Sequence, residues 1–172
     1  MLQVVDQVRL PVPDKPYEDL VGALGDYVWV LDGATMPRGL TTTDELDARW
    51  LVREFDAALR VAIGADDEAG LVELVEGGLR GVARAVEARG LDAGDPWLPT
   101  ATFAMVRTKE PVRALVVGDS AVLAKGPDGF VHLSDTRLRG VAGELRSRLR
   151  ELAPGAEANA LREQLVRAER AA

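Results

Sequence analysis

The chain contains no cysteine and a single histidine, His132. The lack of cysteine excludes disulfide bonds, thiolate zinc sites and cysteine nucleophiles. With one histidine, a multi-histidine metal site or a histidine-dependent catalytic triad is difficult to build within one chain. Sites made from thiolates are therefore excluded, and sites made from several imidazoles are disfavoured.

Concentrated positive charge and long apolar runs are also scarce. The formal net charge is -7, and lysine occurs only at Lys15, Lys109 and Lys125. Because a general nucleic-acid or anionic-membrane surface needs a concentrated basic face, we expect neither as a partner. The first residues lack the basic flank and apolar core of a secretory signal, and no eighteen apolar residues run together. We predict a cytoplasmic protein, and the excess of arginine over lysine suggests a GC-rich bacterial genome.

The rest of the composition is typical of a globular protein, since 47% of the 172 residues are hydrophobic and 28% are charged. Alternation and turn residues predict strands at residues 2–10, 27–31, 101–107, 112–117, 122–125 and 130–133. Helical spacing predicts helices at residues 42–64, about 66–89, 141–152 and 156–172. This order predicts an α+β domain in which helices pack on antiparallel sheet.

The two central helices carry recognisable start and packing signals. Thr42 and Glu45 have the spacing of a capping box, which places the start of the first helix at Thr42. The second helix contains three glycines, which cost roughly 1 kcal/mol each relative to alanine and predict close packing against a neighbour. Its apolar stripe is predicted to be Leu71, Leu74, Val75, Leu79, Val82 and Val86. Trp50 is expected in the core and Trp97 is expected to be exposed.

Acidic residues stand beside the strand at residues 27–31, an apolar run that fits burial on both faces. Asp32 and Gly33 follow this strand, and Glu18 and Asp19 precede a tight reversal into it. Antiparallel pairing would bring Glu18, Asp19 and Asp32 together, and such oxygen ligands suit Mg²⁺ or Mn²⁺. The alternative is that Asp32 and Gly33 merely form a turn.

Three motifs together resemble the metal-dependent protein phosphatases of the 2C (PPM) family. The first joins Glu18-Asp19 to Asp32-Gly33, and the other two are residues 99–106 and residues 114–123, which contain Gly118-Asp119-Ser120. They occur in the family's order over about residues 1–140. The resemblance implies an α-β-β-α sandwich of two antiparallel sheets between helix pairs, with the metals at its open end.

The resemblance also implies a mechanism and a set of ligands. In the family, two divalent ions about 3.5 to 4 Å apart activate a water that attacks phosphorus, without a protein nucleophile. Asp32 would bridge both ions, the Gly33 carbonyl would bind one, and Glu18 and Asp19 would act directly or through water. Asp119 would be an accessory ligand or a structural acceptor. The implied substrate is a phosphorylated protein or a small phosphoester, and the sequence does not indicate an oligomeric state.

Two departures from the family pattern bear on activity. The family's phosphate-binding arginine is replaced by Asp14, so the adjacent Lys15 is the candidate phosphate ligand, although lysine lacks the planar fork of arginine. The later Ser-Asp-Gly and Asp-Asn or Asp-Asp segments are absent, and Ser134-Asp135-Thr136 does not replace them. We therefore interpret residues 1–172 as one incomplete domain that matches the first two-thirds of the family's domain.

Alternatives remain for the function. An inactive 2C-like domain with a regulatory or phosphoprotein-binding role is the main competitor. The segment after Val30 superficially resembles the nucleophile motif of haloacid-dehalogenase phosphatases, but valine stands where that family has its nucleophilic aspartate. An amino-terminal nucleophile hydrolase would need processing to expose an internal threonine such as Thr35.

Overall fold

A computed structural model describes residues 17–34, 46–137, 143–153 and 155–170 of the chain. Along these residues the elements follow in the order β1 (Asp19–Leu24), β2 (Tyr27–Ala34), α1 (Ala48–Ala65), α2 (Leu71–Glu87), β3 (Thr100–Arg107), β4 (Arg113–Val117), β5 (Ala121–Gly126), β6 (Gly129–Ser134), α3 (Gly143–Glu151) and α4 (Ala156–Arg170). The predicted strand at residues 2–10 lies outside the described residues.

The strands form antiparallel sheets. The larger sheet has the order β1-β2-β3-β4, and β5 pairs with β6 in a separate two-stranded sheet. A two-residue turn joins β1 to β2, and its Gly25 has a φ of +57°, which glycine adopts without a Cβ clash. Such a short connection enforces antiparallel pairing and fixes the register of the two strands.

One face of the larger sheet is covered by helices. Tyr27, Trp29 and Leu31 of β2 are buried on this face, with α1 against β1, β2 and β3 and with α2 against β4. The prediction that this strand is buried on both faces is wrong, because Val30 on the alternate face is 39% exposed. Asp32 shares the face of Val30, so its carboxyl points away from α1 and α2.

The core lies between this sheet and the two helices α1 and α2. Its buried residues are Tyr27, Trp29, Leu31, Leu46, Val52, Phe55, Leu59, Ile63, Leu71, Leu74, Val75, Val82, Val86, Phe103 and Met105. The predicted close packing of α2 is confirmed at Gly78, where a Cβ would lie 2.6 Å from the Phe55 ring. At Gly81 a Cβ would lie 2.5 Å from the Cβ of Ala58. These glycines allow α2 to approach α1 closely.

The predicted start of α1 is wrong. The helix begins at Ala48, and the Asp47 carboxylate caps it by accepting a hydrogen bond from the Trp50 backbone N–H at 2.7 Å. Asp47 is itself a favoured capping residue and stands directly before the first buried helical position. Thr42 lies outside the described residues. Trp50 packs against the core, as predicted.

Three predictions for α2 and its connection to β3 are also wrong. Residues 66–70 form the connection from α1, and α2 begins at Leu71 after Gly70. Leu79 is 54% exposed and does not belong to the buried stripe. Trp97 is half-buried rather than exposed, and the Arg167 guanidinium lies 5.3 Å from its ring centroid. Within the described residues, no helix has the length and apolarity needed to cross a membrane.

Candidate functional site

The register of the first hairpin brings two of the predicted acids together. Asp19 is the Cα partner of Asp32, and on the other side Asp32 is the partner of Thr102 in β3. Directly opposed residues of an antiparallel pair point to the same face with Cβ atoms about 4.5–5.5 Å apart. Asp19 and Asp32 are both exposed and lie at one end of the larger sheet.

Gly33 holds Glu18, the third predicted acid, beside β2. Its N–H donates to the Glu18 carbonyl over 3.2 Å. A Cβ at position 33 would lie 2.7 Å from that carbonyl oxygen and 3.0 Å from the Cβ of Ala48 in α1. Any larger residue would therefore displace the start of β1 and the acids that it carries.

The electrostatics of Asp32 show that the acids affect one another. Partial desolvation at the surface of the sheet is the largest cause of its raised pKa, followed by the negative charge of Asp19 and a hydrogen bond between the two carboxyl groups. Asp119 and Glu18 raise the pKa of Asp32 further by their charges. Excess negative charge is therefore concentrated around Asp32, and a bound cation would relieve the repulsion.

Asp119 belongs to a turn that is held against β3 close to Asp32. Gly118 has a φ of +81°, and a Cβ there would lie 2.6 Å from Cγ2 of Thr102. The Ser120 hydroxyl is 3.0 Å from the Thr102 hydroxyl, so the two side chains are hydrogen-bonded. The turn on both sides of the exposed Asp119 is thus attached to the residue that pairs with Asp32.

A charged pair that the sequence did not reveal supports the same turn. The Asp135 side chain is only 6% exposed and accepts hydrogen bonds from the Gly118 N–H at 3.1 Å and the Arg137 N–H at 3.0 Å. Its carboxylate also binds the Arg137 guanidinium, with Nη2 at 2.6 Å. The Arg137 side chain, followed by backbone N–H donors, holds the pKa of Asp135 well below its usual range. The contact to Gly118 spans 17 residues, and no local pattern indicates it.

The donor chemistry of this end of the sheet suits a hard divalent cation. Asp19 and Asp32 supply two contacting carboxyl groups, and Glu18 and Asp119 add negative charge. The described part of the chain contains no group of three or more acidic or histidine side chains arranged to hold a metal ion. Asp19 and Asp32 are therefore the residues placed to begin such a site. Lys15 and Asp14 lie outside the described residues.

Comparisons with known proteins agree with the fold. No protein-family model matches the sequence, and no curated protein matches it at a significant level. In structure, the chain is similar to the PPM Ser-Thr phosphatase MsPP from Mycobacterium smegmatis, which was solved in complex with cacodylate. The TM-score is 0.51 at 18% sequence identity, over 78% of this chain and 56% of MsPP.

The Mycobacterium tuberculosis serine/threonine phosphatase PstP/Ppp is also similar, with a TM-score of 0.49 at 19% identity over 82% of this chain and 59% of PstP. The chain thus spans a little over half the length of each phosphatase. The predicted α+β class with antiparallel sheets and flanking helices is confirmed, and the predicted resemblance to the metal-dependent protein phosphatase 2C (PPM) family is confirmed for the fold.

Proposed function

We propose that this chain is a metal-dependent phosphatase domain that hydrolyses phosphoesters, with phosphorylated serine or threonine side chains of proteins as its substrate class. The observation that carries the proposal is the contact between Asp19 and Asp32 at one end of a PP2C-like fold, where burial and then the neighbouring acids raise the pKa of Asp32. Two carboxylates held in contact are the beginning of a divalent-cation site. A cytoplasmic location stays a prediction.

The residues have distinct proposed roles. Asp32 and Asp19 would hold Mg²⁺ or Mn²⁺, both of which accept oxygen ligands, and the Gly33 carbonyl, Glu18 and Asp119 are the further candidate ligands. When bound, the cation supplies a water activated at neutral pH and stabilises the charge that develops on the phosphoryl group. The chain's own contribution is to fix the acids, through the register of β1 with β2 and the Gly33 contact with Glu18.

A non-catalytic phosphoprotein-binding domain is the second candidate. The observation that favours it is that the Asp135 carboxylate already accepts hydrogen bonds from the Arg137 guanidinium and the Gly118 N–H. This acid follows the central strands but is occupied, so it does not supply a further metal ligand. A domain of this kind would bind a phosphorylated partner without turnover.

The test is hydrolysis of p-nitrophenyl phosphate with Mn²⁺. We expect turnover by the wild-type chain, its loss in EDTA, and a decrease of at least about 100-fold in Asp32→Ala, because that variant removes the central ligand. Asp128→Ala is the matched control, since Asp128 is an exposed acid in the turn between β5 and β6. Turnover that persists in EDTA or in Asp32→Ala would contradict the proposal, and absence of turnover in the wild type would favour the second candidate.

A further inference from the structure

Arg137 forms an ion pair with a buried acid although most of its own side chain is exposed. Its Nε and Nη2 groups bind the Asp135 carboxylate at 3.0 and 2.6 Å, while 69% of the side chain remains accessible to solvent. Because Asp135 is nearly buried and also binds the Gly118 N–H, the guanidinium is fixed to the turn that contains Asp119. Among the described residues, its Nη1 group has no hydrogen-bond acceptor.

A cleft adjoins this guanidinium. It has a volume of about 580 Å³ and lies between α2, β4 and the end of β6. Its wall includes three partly exposed apolar residues, Val72 (57%), Val117 (38%) and Leu133 (39%). Arg137, which follows β6 in the chain, also lines the cleft. β4 is the last strand of its sheet, so the backbone groups on its outer side face this cleft rather than another strand of that sheet.

We propose that Arg137 binds the phosphoryl group of a phosphorylated peptide whose neighbouring residues lie in this cleft. An arginine fork binds phosphate oxygens in two parallel hydrogen bonds, and here Asp135 already orients the exposed guanidinium. The apolar wall of the cleft suits an extended peptide, which can also pair with the outer edge of β4. This inference rests on the proposed function and assigns the phosphate-binding cation to a described residue.

The assignment differs from the prediction for Lys15, which made that lysine the phosphate ligand. A lysine offers a mobile point charge, whereas Arg137 offers a planar fork fixed by a buried acid. The guanidinium is connected to the acid cluster through Asp135 and Gly118, the residue before Asp119. Binding at Arg137 would thus place the phosphoryl group on the side of the Asp119 turn.

The test is equilibrium binding, which requires no turnover. A peptide that carries phosphothreonine between apolar residues is titrated into the chain in metal-free buffer, and the unphosphorylated peptide and inorganic phosphate are titrated in parallel. We expect Kd for the phosphopeptide to rise about tenfold in Arg137→Ala and by a smaller factor in Arg137→Lys, which keeps the charge but not the fork. Arg113→Ala removes the same charge from the opposite end of β4 and should leave Kd unchanged.

The inference is wrong if Arg137→Ala binds the phosphopeptide like the wild type, if Arg113→Ala weakens binding equally, or if the unphosphorylated peptide binds as tightly. Arg137→Lys preserves an ion pair with Asp135, so it provides a folded comparison if the alanine variant loses stability. Arg137-dependent binding in a chain without turnover would contradict the proposed activity alone. Turnover with an unchanged Kd and KM in both Arg137 variants would contradict this inference alone.

Discussion

Asp32 illustrates how a single carboxyl group links the hairpin register to the candidate chemistry. The apolar run before it and the two-residue turn determine which residue stands opposite, and that residue is Asp19. Because the pair lies on the face away from α1 and α2, both side chains remain accessible to an ion. Burial first, and then the negative charges of the neighbouring acids, raise the pKa of Asp32.

Asp32→Asn should stabilise the metal-free chain near neutral pH. The folded state raises the pKa of Asp32, so it binds a proton more readily than the unfolded state, and stability is lost as the pH rises through the interval from the unfolded to the folded pKa. The variant removes that loss. Solvent screening limits the gain to less than about 1 kcal/mol. Thermal unfolding measured from pH 3 to pH 8 should show the difference at neutral pH and its disappearance in acid.

Asp128→Asn serves as the control, because this exposed acid lies in the turn of the other hairpin. Adding Mn²⁺ should raise the Tm of the wild type and have little effect on Asp32→Asn. A variant that is equally destabilised at every pH would show that Asp32 has a structural role that outweighs the repulsion.

The acids of the candidate site could be found from the sequence, whereas the groups that support them could not. Asp19 and Asp32 belong to one hairpin, where alternation and turn length determine the neighbours. Asp135 reaches Gly118 across a second hairpin, and its arginine partner follows two residues later in an irregular segment. A buried acid that binds a distant backbone N–H leaves no periodic signal.

At the scale of elements, the contact between α1 and α2 depends on glycines in α2, which have no side chain. Gly78 faces Phe55, whose ring packs edge-on against Phe103 with the ring centroids 5.7 Å apart. The three residues therefore connect the helix pair to β3. Helix propensity alone would favour alanine at position 78, so the glycine indicates that packing dominates there.

Gly78→Ala should destabilise the protein despite its better helix propensity. The added Cβ would lie 2.6 Å from a carbon of the Phe55 ring, and such overpacking costs about 1–3 kcal/mol. The gain from alanine is roughly 1 kcal/mol, so we expect a net loss of up to about 2 kcal/mol. Urea unfolding followed by tryptophan fluorescence measures the difference.

Gly64→Ala is the matched control, because it makes the same change within α1 where a Cβ meets no atom within 4 Å. It should leave the free energy of unfolding unchanged or raise it by up to about 1 kcal/mol. Equal effects of the two substitutions would show that the contact with Phe55 relaxes without cost.

Element types were more predictable than element ends. Helical spacing identified α1 and α2, because it reflects the face that each helix buries. The start of α1 was misplaced because Thr42 and Glu45 match a capping box, whereas Asp47 provides the cap that the fold uses. Leu79 has the spacing of the buried stripe, but it is 54% exposed beside the connection that follows α2, and the helix sequence does not encode the path of that connection.

At the scale of the whole molecule, apolar side chains are distributed unevenly. The main core joins α1, α2 and the larger sheet. The β5 and β6 hairpin instead exposes its apolar residues, with Leu123 at 66%, Phe130 at 68% and Val131 at 64%. An isolated two-stranded hairpin is marginally stable in water. The hairpin should therefore open locally without unfolding the core.

Two phenylalanine-to-alanine substitutions should differ in their effect on the free energy of unfolding, one in the core and one in the β5 and β6 hairpin. Phe103→Ala removes a ring that is only 4% exposed and should cost about 3–5 kcal/mol, whereas Phe130→Ala should change the free energy of unfolding by less than about 0.5 kcal/mol. Urea unfolding reports this difference, and amide hydrogen exchange should show slow exchange in β2 and β3 and faster exchange in β5 and β6. If Phe130→Ala cost more than about 1 kcal/mol, or if both hairpin strands exchanged as slowly as β3, the hairpin would belong to the cooperative core. The ring of Phe130, which is 68% exposed here, would then have to be buried in solution.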